Sequence, residues 1–322
     1  MNAEMSVVLA ASGGYPTVRR TVRRLNNQSA AGRMELIVIG FGGPMEIPSE
    51  DVAAFASVQG KLLDEVVGVG TANAEGVRMA RTAIVAFGED HCFPEPGWGQ
   101  ALLDAHRSTH AVVAPVFRNA NPATIVSWCD FLIGYGPWME PAEGGLRPYL
   151  PGHNSSYKRD ELLAYGDRLE EMLGAETVLH YDLVRRGRTL HLEPKAQVSH
   201  LNFSRFRHWL QVSFHSGRVF AGSRGADWTL PKRLFYAAAS PLIPLVRLVR
   251  VIRELRAPGR PTGLLARCMP LLAMGLFADG VGQFAGYFAG AGMSNSALTK
   301  YEYNRDRFIT ETDRRELEAA HG

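Results

Sequence analysis

The sequence predicts an α/β fold, with a mostly parallel sheet covered by helices on both faces and a helical, amphipathic region at the C-terminal end. Two observations carry this prediction. Short apolar, β-branched runs alternate with helical spacings over about the first 120 residues. From Pro231 onward the chain turns basic and apolar and shows no strand signals. We therefore predict one domain over residues 1–230 and a membrane-associated helical region over residues 231–322.

The first half contains four predicted strands, each separated from the next by a helical pattern. The strands are Ser6–Ala11, Glu35–Ile39, Thr82–Phe87 and His110–Phe117. The helical patterns are Thr17–Asn27, Thr71–Arg81 and Gly99–Arg107. Ligands of parallel sheets bind outside the carboxyl ends of the strands, so residues that directly follow these strands are candidate site residues.

The middle of the chain is predicted to be irregular. Residues 135–160 are rich in glycine and proline and are typical of long loops. Beyond them the pattern predicts helices over Lys158–Leu173 and Glu176–Arg186, a strand over Thr189–Glu193 and a further helix over 201–222.

The composition excludes several functional classes. Three widely spaced cysteines without a CxxC pair argue against a disulfide scaffold and against a structural zinc site. The start, MNAEMSVVLAAS, lacks the basic segment and long apolar run of a signal peptide, so a cytoplasmic protein is expected. No nucleic-acid partner is predicted, because aromatic residues do not interleave with the arginines as a stacking platform requires.

Two acids and a histidine directly follow the third strand. Carboxylates and an imidazole at a strand's carboxyl end can hold Mn²⁺ or Mg²⁺, and such a cation can hold a diphosphate. Glu89, Asp90 and His91 are therefore candidate ligand contacts. The alternative is that Glu89 and Asp90 are solvated turn residues and that His91 caps the following loop.

The order of motifs along residues 5–222 resembles family 2 glycosyltransferases of the GT-A fold. The matching segments are SVVLAAS, LNNQS, ELIVIG, TANAEGVRMAR, AIVAF, Glu89-Asp90-His91 at the position of the family's DxD motif, and Pro94-Glu95-Pro96-Gly97-Trp98. The resemblance implies a Rossmann-like GT-A fold. It also implies an inverting, hexosyltransferase-type enzyme of polysaccharide biosynthesis that moves a sugar from a nucleotide-diphosphate donor to a hydroxyl acceptor.

The resemblance assigns metal and donor contacts around the DxD position. Glu89 and Asp90 would contact the donor, and His91 would hold Mn²⁺ or Mg²⁺ together with Glu89 and His200. A histidine in place of the acid supplies no negative charge, which leaves the metal requirement open. The alternative for His200 is a packed histidine at a strand end.

Further donor contacts are implied in three segments. The first loop, with Ala11, Ser12, Gly13 and Tyr15, would clasp the nucleotide, and Tyr15 would stack on it. Asn73 lies in the Asn-containing helix that precedes the third strand in the family. His153 and Asn154 fall in a turn, GHNSSYKR, that resembles the family's G-x-N-x-x-x-R motif. The alternative for His153 and Asn154 is that their side chains hydrogen-bond local backbone groups.

The segment AETVLHYDLVRRG resembles the helix that carries the family's general base. Glu176 stands at the position of the catalytic aspartate, ahead of Gly187. In an inverting transfer such a carboxylate deprotonates the acceptor hydroxyl as that hydroxyl attacks the anomeric carbon. The alternative is an ordinary solvated glutamate on a helix.

Two other functions stay open. The second strand ends in Gly40-Phe41-Gly42-Gly43-Pro44, where the family usually has aspartates that read the base and ribose. This departure favours a degenerate GT-A module that binds nucleotide or glycan without turnover. A dinucleotide turn at VIGFGG, and hence an oxidoreductase, is weak because the third spaced glycine is missing and Pro44 stands where the helix should begin.

The C-terminal region predicts peripheral membrane attachment. The segment from Pro231 to Arg267 contains eight basic residues and a single acid, Glu254. Within it, an apolar stripe is formed by Leu242, Leu245, Val246, Val249 and Ile252. Such a basic amphipathic helix, 232–256, is typical of segments that lie on an anionic surface, here the inner face of the cell membrane. Packing on the catalytic domain or a second subunit is the alternative, and homo-oligomerisation is left open. The run 268–290, broken by Pro270, Asp279 and several glycines, favours lying on the membrane over spanning it.

Overall fold

A computed structural model describes residues 2–321, with side chains through residue 318. The chain forms two compact units. One contains the residues up to Arg118 together with Ala142–His200, and the other contains Asn119–Pro141 together with the residues from Leu201 onward. The functional boundary at residue 230 stays a prediction.

A nine-stranded sheet forms the centre of the first unit, in the order β3-β2-β1-β4-β8-β6-β9-β5, with β7 paired to β9. Strands β1 to β4 are parallel neighbours, whereas β5, β7 and β8 pair antiparallel. The strands are β1 Met5–Ser12, β2 Met34–Phe41, β3 Ser57–Leu63, β4 Ile84–Gly88, β5 Cys92–Pro94, β6 Val112–Asn119, β7 Gly145–Leu146, β8 Ser156–Lys158 and β9 Leu190–His200. The predicted α/β, GT-A-type architecture is confirmed.

Thirteen α-helices are assigned within the described residues. They are α1 Tyr15–Asn26, α2 Val69–Met79, α3 Trp98–Ala105, α4 Ile125–Tyr135, α5 Arg159–Leu163, α6 Leu169–Gly174, α7 Glu176–Arg185, α8 Phe206–Arg224, α9 Leu230–Ala239, α10 Ile243–Leu255, α11 Leu264–Ala289, α12 Ser294–Glu302 and α13 Glu311–His321. Helix α7 starts at Glu176, and α1 to α3 match the three predicted helical patterns to within two residues at each end.

The central strands follow from their composition. Strands β1 and β2 are near-continuous apolar runs, and Val7, Val8 and Ile37 are fully buried. Strands buried on both faces of a parallel sheet carry this pattern, because helices cover each side. Their carboxyl ends therefore lie at one edge of the sheet, where the site is built.

Several elements differ from the sequence-based expectation. Helix α4 and the short strands β5, β7 and β8 were not predicted, and β9 extends to His200 where the predicted strand ends at Glu193. Strand β3 was not predicted, because it is a largely exposed edge strand without an apolar run. The single predicted helix over Lys158–Leu173 is divided into α5 and α6 around Gly166, which adopts φ 54°. The predicted helix 232–256 is divided into α9 and α10 by a short 3₁₀ turn, with Pro241 and Pro244 at the junction.

In the second unit, α8 and α11 pack backbone to backbone. A Cβ added to Gly282 would lie 2.1 Å from the Phe214 carbonyl oxygen, and one added to Gly217 would lie 2.2 Å from the Asp279 carbonyl oxygen. Only glycine allows this approach. The charged C-terminal segment also packs in this unit, because Asp313 is fully buried and accepts a hydrogen bond from Ser204.

Candidate active site

Four segments of the first unit converge at the carboxyl end of β4. Antiparallel pairing of Ala86 with Ser156 brings the residues before β8 beside the end of β4. Pairing of Cys92 with His200 brings the end of β9 to the same place. The fourth segment is the first turn of α7, which carries Glu176. The sheet register thus assembles Glu89, His91, Asn154 and His200 from distant parts of the chain.

Glu89, His91 and His200 form a candidate metal centre. Their ligand atoms lie within 4.8 Å of one another, and both histidines are buried. His91 Nε2 lies 3.5 Å from Glu89 Oε1, and His200 Nε2 lies 4.0 Å from Glu89 Oε2. One carboxylate and two imidazoles fit Mn²⁺, whereas Mg²⁺ prefers oxygen ligands throughout. The residues predicted to hold the metal are thus brought together.

Asp90 orients His91. Its Oδ1 lies 2.6 Å from His91 Nδ1, so a neutral His91 that donates from Nδ1 to Asp90 keeps Nε2 as the nitrogen that can ligate a cation. A carboxylate behind a ligating histidine raises its basicity as a ligand. The structure therefore places Asp90 against the His91 ring, and its predicted contact with the donor stays a prediction.

His153 joins the candidate metal centre to Glu176. Its Nδ1 lies 3.2 Å from Glu89 Oε1 and 3.2 Å from Glu176 Oε1. Because both oxygens contact the same nitrogen, Glu89 Oε1 and Glu176 Oε1 are separated by no more than twice 3.2 Å. The His153 side chain keeps about a third of its surface exposed, whereas Glu89 and Glu176 are mostly buried. An accessible imidazole between two carboxylates can hydrogen-bond a ligand that enters between them.

Asn154 fixes the position of Glu89. It is fully buried, adopts φ 61° and donates from Nδ2 to Glu89 Oε2 over 2.8 Å. Asparagine is one of the few residue types that tolerate this left-handed backbone region. Its buried Oδ1 has no hydrogen-bond partner among the described residues and so is available as an acceptor for a ligand hydroxyl.

Gly152 provides the space that Glu176 occupies. A Cβ added at Gly152 would lie 2.1 Å from Glu176 Cδ and 2.2 Å from its Oε2. The Glu176 carboxyl group therefore lies directly on the backbone of this loop. Sequence reasoning placed Gly152 in the G-x-N motif without assigning it this role.

On the catalytic role that the family resemblance implies for Glu176, Gly152→Ala is expected to lower transfer activity at least about tenfold, because the new methyl group forces the Glu176 carboxyl out of position and a small misplacement of a reacting group is costly. The measurement is kcat, with circular dichroism as a check on folding. Gly174→Ala is the matched control, since a Cβ there meets nothing within 4 Å. Equal kcat values for the two variants would contradict the proposal that Gly152 makes room for the Glu176 carboxyl group.

A buried chain of hydrogen bonds supports the loop from behind. The Leu150 N–H donates to His180 Nδ1 over 3.4 Å, which leaves the proton of neutral His180 on Nε2, 2.9 Å from the Tyr157 hydroxyl. That hydroxyl donates to the Gly152 carbonyl over 3.4 Å. Burial, and then the charge of Glu176, raises the pKa of Tyr157 well above its usual value. His180 lies one turn after Glu176 on α7, a spacing that places both residues on one face of the helix.

His180 is expected to make folding pH-dependent, because burial lowers its pKa to about 4. The unfolded chain therefore binds a proton near pH 6.5 that the folded chain does not, and stability falls as the pH drops from 6.5 towards 4. This group alone should cost about 2 kcal/mol between pH 7 and pH 5. Urea unfolding at both pH values should show a smaller loss for His180→Gln than for the wild type. Burial also lowers the pKa of His106 to about 4, and this second contribution is present in the wild type and in the variant alike. Equal losses would contradict the assignment.

The predicted nucleotide loop lies at the same sheet edge. Strand β1 runs parallel to β4, with Leu9 opposite Gly88, so Ala11, Ser12 and Gly13 follow towards this edge. Tyr15 is buried and donates to Asp51 Oδ2 over 2.9 Å, so stacking on a base would require its ring to move. Asn73 is buried on α2. The donor contacts assigned to these five residues stay predictions.

Comparison with known proteins places the site in context. Residues 6–163, nearly half of the chain, match the family model described as glycosyl transferase family 2. No curated protein matches the chain significantly. Among solved structures, the chain is similar to a crystal structure of GalNAc-T7 with UDP, GalNAc and Mn²⁺, at 16% identity and a TM-score of 0.46, over 62% of this chain and 44% of that one. It is also similar to a crystal structure of a mycobacterial protein, at 19% identity and a TM-score of 0.41, over 62% and 68% of the two chains. The chain thus spans less than half the length of the first of these structures.

Proposed function

Because residues 6–163 place this chain in glycosyl transferase family 2, we propose that it is an inverting, hexosyltransferase-type glycosyltransferase. Its donor is a nucleotide-diphosphate sugar, and its acceptor is a hydroxyl group of a glycan or lipid-linked sugar at the cytoplasmic face of the membrane. One observation supports this most strongly. His153 Nδ1 lies 3.2 Å from both Glu89 and Glu176, so the carboxylate of the metal centre and the candidate base meet in one cluster.

The reaction requires one group that takes the proton of the acceptor hydroxyl and another that stabilises the leaving diphosphate. The acceptor oxygen forms a bond to the anomeric carbon while the bond from that carbon to the diphosphate oxygen breaks, and the electron pair leaves with the diphosphate. Glu176 takes the proton of the acceptor hydroxyl as general base. Attack from the side opposite the leaving group inverts the anomeric configuration, which requires the base and the diphosphate to lie on opposite sides of the sugar.

The remaining residues hold the donor. Glu89, His91 and His200 would bind the cation, which when bound offsets the charge that builds up on the leaving diphosphate. Asp90 keeps His91 in its ligating orientation, and Asn154 keeps Glu89 in place. His153, the accessible member of the cluster, would hydrogen-bond the sugar. The imidazole-rich ligand set favours Mn²⁺ over Mg²⁺.

Thermal shift measurements with a panel of nucleoside diphosphates and nucleotide sugars, with and without Mn²⁺, test this function. At a ligand concentration of about 100 times Kd, binding stabilises the folded chain by about 2.7 kcal/mol, which gives a clear rise in Tm. We expect at least one nucleotide-diphosphate sugar to raise Tm and Mn²⁺ to increase the rise. The absence of a shift with every donor would contradict the proposal.

A further inference from the structure

Helices α9 and α10 and the 3₁₀ turn between them expose large apolar side chains on the outside of the second unit. Leu242, Leu245 and Val246 are each about 60% exposed, and Phe235 is 69% exposed. These include residues of the stripe that the sequence predicts. Water-soluble helices turn such a stripe towards the core. The stripe on α9 and α10 therefore needs an apolar environment outside the chain.

Helix α11 also exposes an apolar face. Its exposed apolar side chains recur every three or four residues along one face, at Met274, Phe277, Val281, Phe284 and Phe288. Its buried face is apolar in part but also carries polar groups: Asp279 and Gln283 are buried, Gln283 donates to Asp279, and Arg247 of α10 forms an ion pair with Asp279 at 2.6 Å. Paired polar groups in the interior behind a continuous exposed apolar face are typical of a protein surface that contacts lipid.

The charges around this surface match an anionic bilayer. Five basic residues of this segment are exposed: Lys232, Arg250, Arg253, Arg256 and Arg267. The two acids between Leu230 and Ala289 are not exposed, since Asp279 is buried and Glu254 is largely so. Each lysine or arginine near an anionic lipid surface contributes about 1 kcal/mol of attraction. A lipid surface is therefore a better occupant than a neutral protein partner.

The layer behind α11 indicates that the helices lie in the membrane and do not cross it. The segments Leu230–Leu255 and Leu264–Ala289 are long enough to span, and each contains an 18-residue stretch with a mean hydropathy of 1.5. However, α8 packs along the inner face of α11 and carries Arg218, which donates to the Gly290 carbonyl, and His215, which bonds Ser294. A spanning hairpin would take these polar groups into the hydrocarbon, where they are costly.

We propose that the exposed faces of α9, α10 and α11 form one surface that inserts into a single leaflet of an anionic membrane, with α8 on the aqueous side. The helices contact each other, since a Cβ on Gly280 of α11 would lie 2.8 Å from Pro244 of α10. This inference deepens the membrane location in the proposed function and does not depend on the transfer chemistry. It assigns α11, in addition to the basic helix 232–256, to the membrane contact.

Flotation of the full-length chain with lipid vesicles tests the proposal. We expect binding to vesicles of phosphatidylcholine with phosphatidylglycerol and much weaker binding to phosphatidylcholine alone. A triple variant, Phe277→Ser, Phe284→Ser and Phe288→Ser, should bind at least about tenfold more weakly, because three large apolar groups no longer enter the leaflet. The matched control carries Val58→Ser, Leu62→Ser and Leu146→Ser, which alter exposed apolar side chains of the other unit.

Several results would overturn the proposal. One is flotation of the triple Phe variant as strong as that of the wild type. Another is a wild-type protein that stays in the membrane after alkaline carbonate extraction, as a spanning protein would. The third is a wild-type protein that sediments as a dimer without lipid and does not float with vesicles. The donor-induced rise in Tm reports on the catalytic site separately. A retained rise in Tm without vesicle binding overturns the membrane contact and leaves the transfer chemistry intact, whereas vesicle binding without any rise in Tm overturns the transferase function and leaves the membrane contact intact.

Discussion

Glu176→Gln is expected to lower kcat for sugar transfer by about 10³-fold while leaving donor affinity almost unchanged. The amide keeps the size of the carboxyl group and can still hydrogen-bond His153, 3.2 Å from the present Oε1, but it cannot accept the acceptor's proton. Transfer kinetics and the donor-induced rise in Tm measure the two effects separately. Loss of turnover with retained binding is the behaviour of a general base and not of a module that only binds glycan.

The matched control for Glu176 is Glu171→Gln. Glu171 is an exposed glutamate whose described contacts are with Arg168, so its replacement should change kcat less than about twofold. Two results would contradict the base assignment: turnover by Glu176→Gln close to that of the control, or loss of donor binding together with turnover. Proton NMR of the product adds an independent check, since this mechanism requires an anomeric configuration opposite to that of the donor.

Removal of a histidine from the candidate metal centre is expected to have the second large effect. His200→Ala is expected to weaken Mn²⁺ binding at least about 100-fold, because it removes one of three ligands from a buried site. Titration of Mn²⁺ followed by electron paramagnetic resonance measures this directly. Transfer by the wild type should disappear with a chelator and return with Mn²⁺ more fully than with Mg²⁺.

Two variants separate the ligands from their surroundings. Asp90→Asn should weaken Mn²⁺ binding by about 10- to 100-fold, because Asp90 hydrogen-bonds His91 and would act on the metal through that ring. His110→Ala removes a histidine that stacks on His191 outside the cluster and should leave Mn²⁺ affinity unchanged. Full Mn²⁺ affinity in His200→Ala would show that Glu89, His91 and His200 do not hold the cation.

Local sequence patterns were sufficient for the central sheet. Strands β1, β2, β4 and β6 were predicted because burial on both faces requires continuous apolar runs. Residues that directly follow such a strand, such as Glu89 and His91, could be placed at the sheet edge on the same reasoning. Strand β3 carries no such pattern, because an exposed edge strand places few constraints on its side chains.

The rest of the site depends on tertiary contacts. Glu176 and His200 became candidates only through the resemblance to a family, because nothing local distinguishes a glutamate at a helix start or a histidine at a strand end. The contact of Gly152 with Glu176 and the pair of Tyr157 with His180 exist only after the loop folds against α7. The sequence showed the apolar stripe of α10, but which side of the helix faces outward depends on what packs behind it.

The central claim is that Glu89, His91 and His200 hold a cation, and through it a donor diphosphate, beside Glu176. Anomalous X-ray diffraction at the manganese edge, from crystals soaked with Mn²⁺ and a nucleoside diphosphate, tests it most directly. We predict one strong peak bounded by Glu89, His91 and His200, with the diphosphate bound to it and the Glu176 carboxyl facing the position of the sugar. A peak at other residues, or a nucleotide bound away from Glu176, would contradict the account.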